Sequence, residues 1–393
     1  MMPLTDGNLL LPIFHHPNPF DGRSDHSKPM ALGIASAPAG SDEAYFRAAT
    51  AILAAQPDRG KPDASAALLD RHYGLAGTVT ILSSEVERTA EVQLSDGRRL
   101  ILKTSTRPEA SDSFGFQAGA LAGLDRASGF VVPRLVHTGS GSRTFGDAGV
   151  YGYLQTRIDG VPLHREFLSP DLLFHTGCAL ARLDRALEQV EPPAVHRPVL
   201  WHIGCWPRLM SFEQYLPAGT ISDQVRTAMG SYVDTIVPEL ANLPWQVTHN
   251  DPSPFNMIMT DRGLGFIDFG DGCWSPRIQD LAIAASHMVT DPGLPLGGAE
   301  HVIAGYASVI PLSELEARLL VGLMRARQSA LILINYWRSH LFPADAEYIN
   351  KNVARAERGL AILARLDAAT AEAPVLADIS SPAGKSPEYN VPR

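Results

Sequence analysis

Residues 247–271 read VTHNDPSPFNMIMTDRGLGFIDFGD. Two short apolar segments, NMIM and GFIDF, flank the turn TDRG, which is the pattern of a tight β-hairpin with its strands against a packed interior. Polar side chains stand where each segment begins or ends: Asp251 and Asn256 ahead of the first, Asp268 and Asp271 around the end of the second. Asp261 is an ordinary turn residue. The other carboxylates are different, because crowding them beside an apolar hairpin costs repulsion and desolvation unless something uses the charge.

A divalent cation plus a proton acceptor would use it. Mg²⁺ takes oxygen ligands, commonly one or two protein groups together with substrate phosphates. HNDPSPFN has the spacing of a kinase catalytic loop, in which an Asp receives the hydroxyl proton and an Asn five residues on holds metal, and DFG supplies the second metal-binding Asp. A metallohydrolase built on His249 and Asp251 is the competing chemistry. It would need further His or carboxylate ligands, and the chain has no second His-x-Asp and no His-x-x-x-His pair.

Phosphoryl transfer also needs a cation on the nucleotide phosphates. The chain has only five lysines, and Lys103, at the end of the strand-like RRLILK, is the sole one between Lys61 and Lys351. Where Arg carries nearly all other positive charge, a sheet Lys points to a need for a compact ammonium. A solvated strand-end Lys is the plainer alternative.

The 393 residues allow two lobes, each with its own core, and 45% apolar with 19% charged content fits a globular protein. A net charge of −9 argues against a nucleic-acid partner, although a local basic groove for phosphate can coexist with it. Cys178, Cys205 and Cys273 form no CxxC pair, so neither a disulfide framework nor a structural zinc site is expected. The N-terminal MMPLTDGNLLLPIFHHPNPF lacks a secretory pattern, and no apolar run approaches membrane-spanning length. A soluble cytoplasmic protein with no membrane partner is the expectation.

Residues 1–62 read as a largely irregular extension in which EAYFRAATAILAA is a possible short helix, and residues 371–393 as a flexible tail. Asp63 can cap a helix that stops at Gly74. Then come the strand-like runs TVTILSS, AEVQL, RRLILKTS, VVPRLVHTG and GVYGYLQTRI, with SDG as a hairpin turn and the helical SFGFQAGALAGLDRA between the third and fourth. This predicts a small antiparallel sheet carrying one helix over residues 63–155. From Ser169 the pattern is helical: SPDLLFHTGCALARLDRALEQV, PRIQDLAIAASHMV, AEHVIAGYASVI, a long LSELEARLLVGLMRARQSALILINYWRSH and AEYINKNVARAERGLAILARLDAA. Residues 156–370 thus form a larger, mainly helical lobe, giving an α+β chain of two lobes.

Over about residues 65–365 the chain resembles the aminoglycoside phosphotransferase and choline kinase superfamily, and within it the hydroxylysine kinase group. The likeness rests on LLDRHYGLAG, LILK, VPRLV, IDGVPL, the catalytic loop, GFIDFGD running into DLAIA, and PADAEYI. The resemblance implies a two-lobed protein-kinase-like fold with a nucleotide, ATP or GTP, in the interlobe cleft with Mg²⁺, and a small-molecule hydroxyl acceptor. It implies Asp251 as catalytic base, Asn256 and Asp268 as metal ligands, Lys103 as the phosphate partner, His249 as a brace for the loop, and Asp280 as a buried support that can equally be a helix N-cap. Gln155–Pro162, or the residues just before, would link the lobes. Several departures stand out. Asn250 replaces the usual Gly, a change tolerable because Asn accepts unusual backbone angles. Gln117 replaces the helix Glu that pairs with the lysine, and it can orient an ammonium but not neutralise it. The phosphate loop SSEVERTAEV, with Ser84, lacks glycines and would cover the nucleotide through backbone contacts.

The acceptor is chosen by residues facing the cleft from the helical lobe: Asp271, Trp274, Arg277, Tyr336 and Arg338 are the candidates, with carboxylate for an amine and Arg for a carboxylate. His202, where the group has Asp, is expected to alter that pocket, whereas His287 reads as a satisfied core histidine. The leading reading is a kinase for a hydroxyl on an amino-containing metabolite, with 5-hydroxylysine as the best single acceptor. The alternatives are an aminoglycoside, choline or homoserine kinase, and a pseudokinase that binds nucleotide without transfer.

Overall fold

Alternating apolar residues and turn signals fold the smaller lobe as a sheet. The computed structural model describes residues 43–56, 61–84, 86–366 and 375. Most of the N-terminal extension, Glu85 of the phosphate loop and the C-terminal tail lie outside the described residues. Helix α1 (Glu43–Ala54) comes first, then α2 (Pro62–Tyr73). Pro62 opens α2 and Lys61 occupies its cap position, so Asp63 lies in the first turn instead of capping; the helix ends at Gly74 (φ 61°), whose N–H bonds Asp70 O at 2.8 Å.

Strands β1 (Gly77–Leu82), β2 (Arg88–Leu94) and β3 (Arg99–Ser105) form a meander, α3 (Ala110–Leu124) follows, and β4 (Leu135–Val136), β5 (Phe145–Asp147) and β6 (Val150–Thr156) complete the antiparallel sheet in the order β1-β2-β3-β6-β4, with β5 on β6. Gly97 (φ 89°) turns the SDG hairpin. One face buries Val92, Leu102 and Leu154 against Leu69 of α2. The other packs α3, with the Phe114 and Tyr153 rings 5.6 Å apart. VVPRLVHTG yields only the two-residue β4, because Val131 reaches the hairpin at 257–266 instead: its N–H bonds Leu264 O at 2.9 Å and its carbonyl accepts from Phe266 N–H at 2.8 Å.

The larger lobe holds β7 (Val161–Pro162), α4 (Pro170–Leu187), α5 (Thr220–Ser231), β8 (Trp245–Thr248), β9 (Met257–Thr260), β10 (Gly263–Phe266), β11 (Cys273–Pro276), α6 (Ile278–Met288), α7 (Ala299–Ala307), α8 (Glu314–Leu341), α9 (Ala346–Ile349) and α10 (Val353–Leu363). β9 and β10 pair as the expected hairpin, with β7 on its edge, and β8 pairs with β11. Ser169 caps α4, accepting from Leu172 N–H at 3.2 Å. Ser313 and Glu316 form a full capping box on α8, a device worth about 1 kcal/mol. Gly177 and Gly305 let α4 and α7 touch, since a methyl on either would overlap a backbone carbonyl of the other helix. The last helical stretch, read as continuous, breaks at Asn350–Asn352, a 3-10 turn, consistent with Asn side chains competing for backbone hydrogen bonds. Among the described residues no helix is long and apolar enough to cross a membrane.

Candidate active site

The loop between β8 and β9 is held from below. Asp280, in the first turn of α6, accepts from His249 N–H and Asn250 N–H, both at 2.7 Å. Asn250 takes φ 61°, the left-handed region that Asn tolerates, which accounts for its standing in for Gly. The His249 ring accepts from Asp251 N–H through Nδ1 (3.3 Å), so Nε2 carries the proton and donates to Ile267 O at 3.0 Å. Burial pushes its pKa down to about 4, so it acts as a neutral brace. Behind Asp280 lies Asp184, bonded by Tyr306 Oη at 2.7 Å. Burial, with the Asp280 charge beside it, pushes the Asp184 carboxyl well above the usual range. Burial raises Asp280 to about 6.

Asp251 is fixed at both oxygens: Asn256 Nδ2 donates to Oδ2 at 2.6 Å and Arg327 Nη2 to Oδ1 at 3.0 Å. Spending its NH₂ on Asp251 turns the Asn256 amide oxygen the other way. Asp268 sits at φ 63°, its side chain 52% exposed into the cleft. The Lys103 ammonium holds it below the usual carboxylate range. One carboxylate and one amide oxygen suit Mg²⁺ completed by phosphates and water. Among the described residues no three His, Cys, Asp or Glu side chains gather as metal ligands, which the metallohydrolase alternative would require.

Lys103 is 4% exposed and fully partnered. Its Nζ lies 2.6 Å from Glu87 Oε1, 2.8 Å from Asp268 Oδ1 and 3.1 Å from Gln117 Oε1. Burial opposes the charge, but the Asp268 and Glu87 carboxylates outweigh it and keep the ammonium ionised. Gln117 also donates to Glu87 at 3.3 Å and to Ser113 at 3.1 Å, and accepts from Tyr153 Oη at 2.9 Å. The counter-charge missing from α3 therefore comes from Glu87, at the mouth of β2. Gln117 is the bridge between the two.

A cleft of about 560 Å³ collects Lys103, Ser84, Asp251, Asn256, Asp268 and Asp271. Trp274, Arg277, Tyr336 and Arg338 do not line it. Arg277 instead forks onto Glu316 at 2.8 and 2.9 Å, locking α6 to the α8 capping box. Tyr336 bonds Glu357 of α10 at 3.0 Å. Arg338 is 1% exposed within the helical core. His202 also stays out of the cleft: it accepts from Gly204 N–H and holds Trp274 O, each at 3.0 Å. His287 corrects the other way. It lines the cleft, and its Nε2 is buried without a partner. The lining further includes Glu87, Arg197, Trp201 and Arg327, and residues Ala49, Ile52 and Leu53 of α1, none of them flagged by sequence motifs. The only available signal for Arg327 is its i, i+4, i+8 spacing with Leu331 and Asn335 on α8.

The sequence profile of the Phosphotransferase enzyme family matches residues 78–312. Hydroxylysine kinase of Mus musculus is 26% identical over 247 residues, a match covering 57% of this chain and 65% of that protein, just under two thirds of its length. Homoserine kinase of Phenylobacterium zucineum (strain HLK1) is 28% identical over 149 residues, 36% of this chain and 46% of that protein. Among solved structures, the microcompartment-associated aminopropanol kinase superposes with a TM-score of 0.59 at 19% identity, covering 76% of this chain and 95% of that one, a likeness of fold.

Proposed function

The chain belongs to the phosphotransferase enzyme family, and on that premise we propose that it is a small-molecule kinase. It moves the γ-phosphoryl group of ATP or GTP to a hydroxyl of an amino-containing metabolite, with 5-hydroxylysine the first acceptor to try and homoserine the next. The observation that carries this reading is the convergence in one cleft of Lys103, Asp251, Asn256 and Asp268, which lie far apart along the chain.

In this reading residues 63–155 hold the nucleotide, with Leu82 and Ile101 and, from the larger lobe, Ile258 and Ile267 as apolar walls for its base, and the rest of the cleft face of residues 156–370 holds the acceptor. Lys103 meets the α- and β-phosphates. Asn256 and Asp268 would hold Mg²⁺, which supplies neutralising charge on the phosphates when bound. Asp251 takes the hydroxyl proton as the acceptor oxygen bonds to the γ-phosphorus and the bond to the β-phosphate oxygen breaks. Asn256 and Arg327 keep the carboxylate of Asp251 aimed, so positioning is settled before substrate arrives. The ionised Lys103–Glu87 pair offsets the Gln117 departure and speaks against the pseudokinase reading. Three buried free cysteines suit a reducing cytoplasm.

The test is nucleotide consumption over 5-hydroxylysine, homoserine, choline and an aminoglycoside, beside D251N. Wild type turns over at least one amino alcohol or hydroxy-amino acid, and D251N loses roughly 10²–10⁴-fold in kcat while keeping its nucleotide affinity. Bound nucleotide with no turnover that D251N removes would restore the pseudokinase.

A further inference from the structure

Arg327 is a buried cation with more donors than partners. A guanidinium carries five N–H groups, and this one is 4% exposed. Nη2 bonds Asp251 Oδ1 at 3.0 Å, and the Trp201 ring covers the flat face, its centroid 4.6 Å from the central carbon. Nε and Nη1 are buried with no partner. From α6, His287 lines the same cleft, with Nε2 buried and unpartnered too. Burial, with Arg327 and Arg355 near it, pushes the His287 pKa down to about 3, so the imidazole adds a neutral polar atom and no second charge. Leaving such donors unused inside a protein is costly. The floor of the cleft therefore holds three buried polar atoms without a partner, Arg327 Nε and Nη1 and His287 Nε2, beside the carboxylates of Asp251 and Asp271.

We propose that this floor recognises a carboxylate of the acceptor, held by Arg327 and His287, so that the acceptors are short hydroxy-amino acids and not simple amino alcohols. The inference rests on the phosphotransferase reading and deepens it. Asp251 and Arg327 touch, so a hydroxyl presented to Asp251 and a carboxylate presented to Arg327 belong to one small molecule. Asp271, on the same cleft, supplies a carboxylate for the amine. The Arg assignments made from sequence, Arg277 and Arg338, give way to Arg327, the arginine in contact with Asp251.

The experiment compares acceptors matched except for the acid: homoserine with 3-aminopropan-1-ol, and 5-hydroxylysine with its decarboxylated counterpart. Each pair is measured as kcat/KM and as affinity by calorimetry with Mg²⁺ and a non-hydrolysable ATP analogue, in wild type, R327K and R327Q. Wild type favours the acid of at least one pair by roughly 10²-fold or more. R327Q lowers kcat for both members, because Arg327 aims Asp251, but brings the calorimetric preference for the acid to within about tenfold, mostly by losing the acid, and R327K retains part of it. Equal handling of acid and alcohol by wild type overturns the proposal, and needs no variant to fold. So does an R327Q whose calorimetric affinity falls alike for both members of each pair, or one that weakens only the ATP analogue, which would place Arg327 on the nucleotide's γ-phosphate. If no acceptor turns over, the kinase reading fails, and calorimetry alone still decides whether an acid binds through Arg327.

Discussion

Replacing Glu87 by Gln tests how the lysine is kept in place. Lys103 Nζ and Glu87 Oε1 are 2.6 Å apart, with side chains 5% and 15% exposed. At an effective dielectric of about 20 such a pair attracts by roughly 6 kcal/mol before desolvation is counted. Losing one partner of a buried pair costs about 3–5 kcal/mol when nothing else compensates. Here Asp268 remains at 2.8 Å, so the expected loss is roughly 2–3 kcal/mol, or about 30- to 150-fold in kcat/KM for the nucleotide. Part of it arises because Asp268 becomes the ammonium's sole carboxylate and is drawn away from metal. Since Gln117 Oε1 already touches the ammonium at 3.1 Å, E87Q/Q117E should recover most of the loss. Q117E alone sets two carboxylates side by side and gains nothing. An ADP-release assay, with circular dichroism to establish folding, reads all three variants. A folded E87Q within threefold of wild type refutes the reasoning, and Gln117 alone would then suffice to hold the lysine.

Arg277→Ala strips the partner from Glu316, which is 0% exposed but keeps two bonds to Ser313. Chemical denaturation should show a loss of about 3 kcal/mol, with acceptor KM unchanged; a raised KM at full stability would return Arg277 to the acceptor site. The Asp184 acid gives a pH signature. Its folded pKa is raised above the ordinary 3.8, so the unfolded chain ionises first and stability falls as pH climbs above that value. D184N, which can donate to Asp280 without a proton to lose, should flatten the denaturation midpoint between pH 5 and 8 relative to wild type. Parallel profiles would mean that no proton is shared there.

The β9–β10 hairpin and the polar residues around it were legible because they sit within 25 consecutive residues, and turn chemistry brings them together with no long-range information. Lys103 stood out through the scarcity of lysine. Asn250 was readable as a left-handed residue because only backbone conformation decides it. What escaped depends on distant pairings. Arg277 lies beside DFGD and invites a substrate role, but Glu316, on another helix, claims it. Glu87 is one of several polar residues in a loop without glycine, and only the folded sheet places it on the lysine. Arg327 and His287 sit in apolar helices where polar residues read as core or surface until the cleft is seen. Helix α1 was readable in EAYFRAATAILAA, but its place on the cleft was not, because its anchor is tertiary: Tyr45 Oη donates to Arg197 O at 2.8 Å and accepts from Val199 N–H at 3.1 Å.

The most direct measurement is Mn²⁺ electron paramagnetic resonance with a non-hydrolysable ATP analogue, on wild type, K103M and D268N. If a triphosphate and its cation are gathered by Lys103, Asn256 and Asp268, wild type binds the metal–nucleotide complex, D268N loses the bound-metal signal, and K103M weakens nucleotide binding by roughly tenfold or more. A wild type that binds no metal–nucleotide complex, or a folded D268N whose spectrum matches it, contradicts the account.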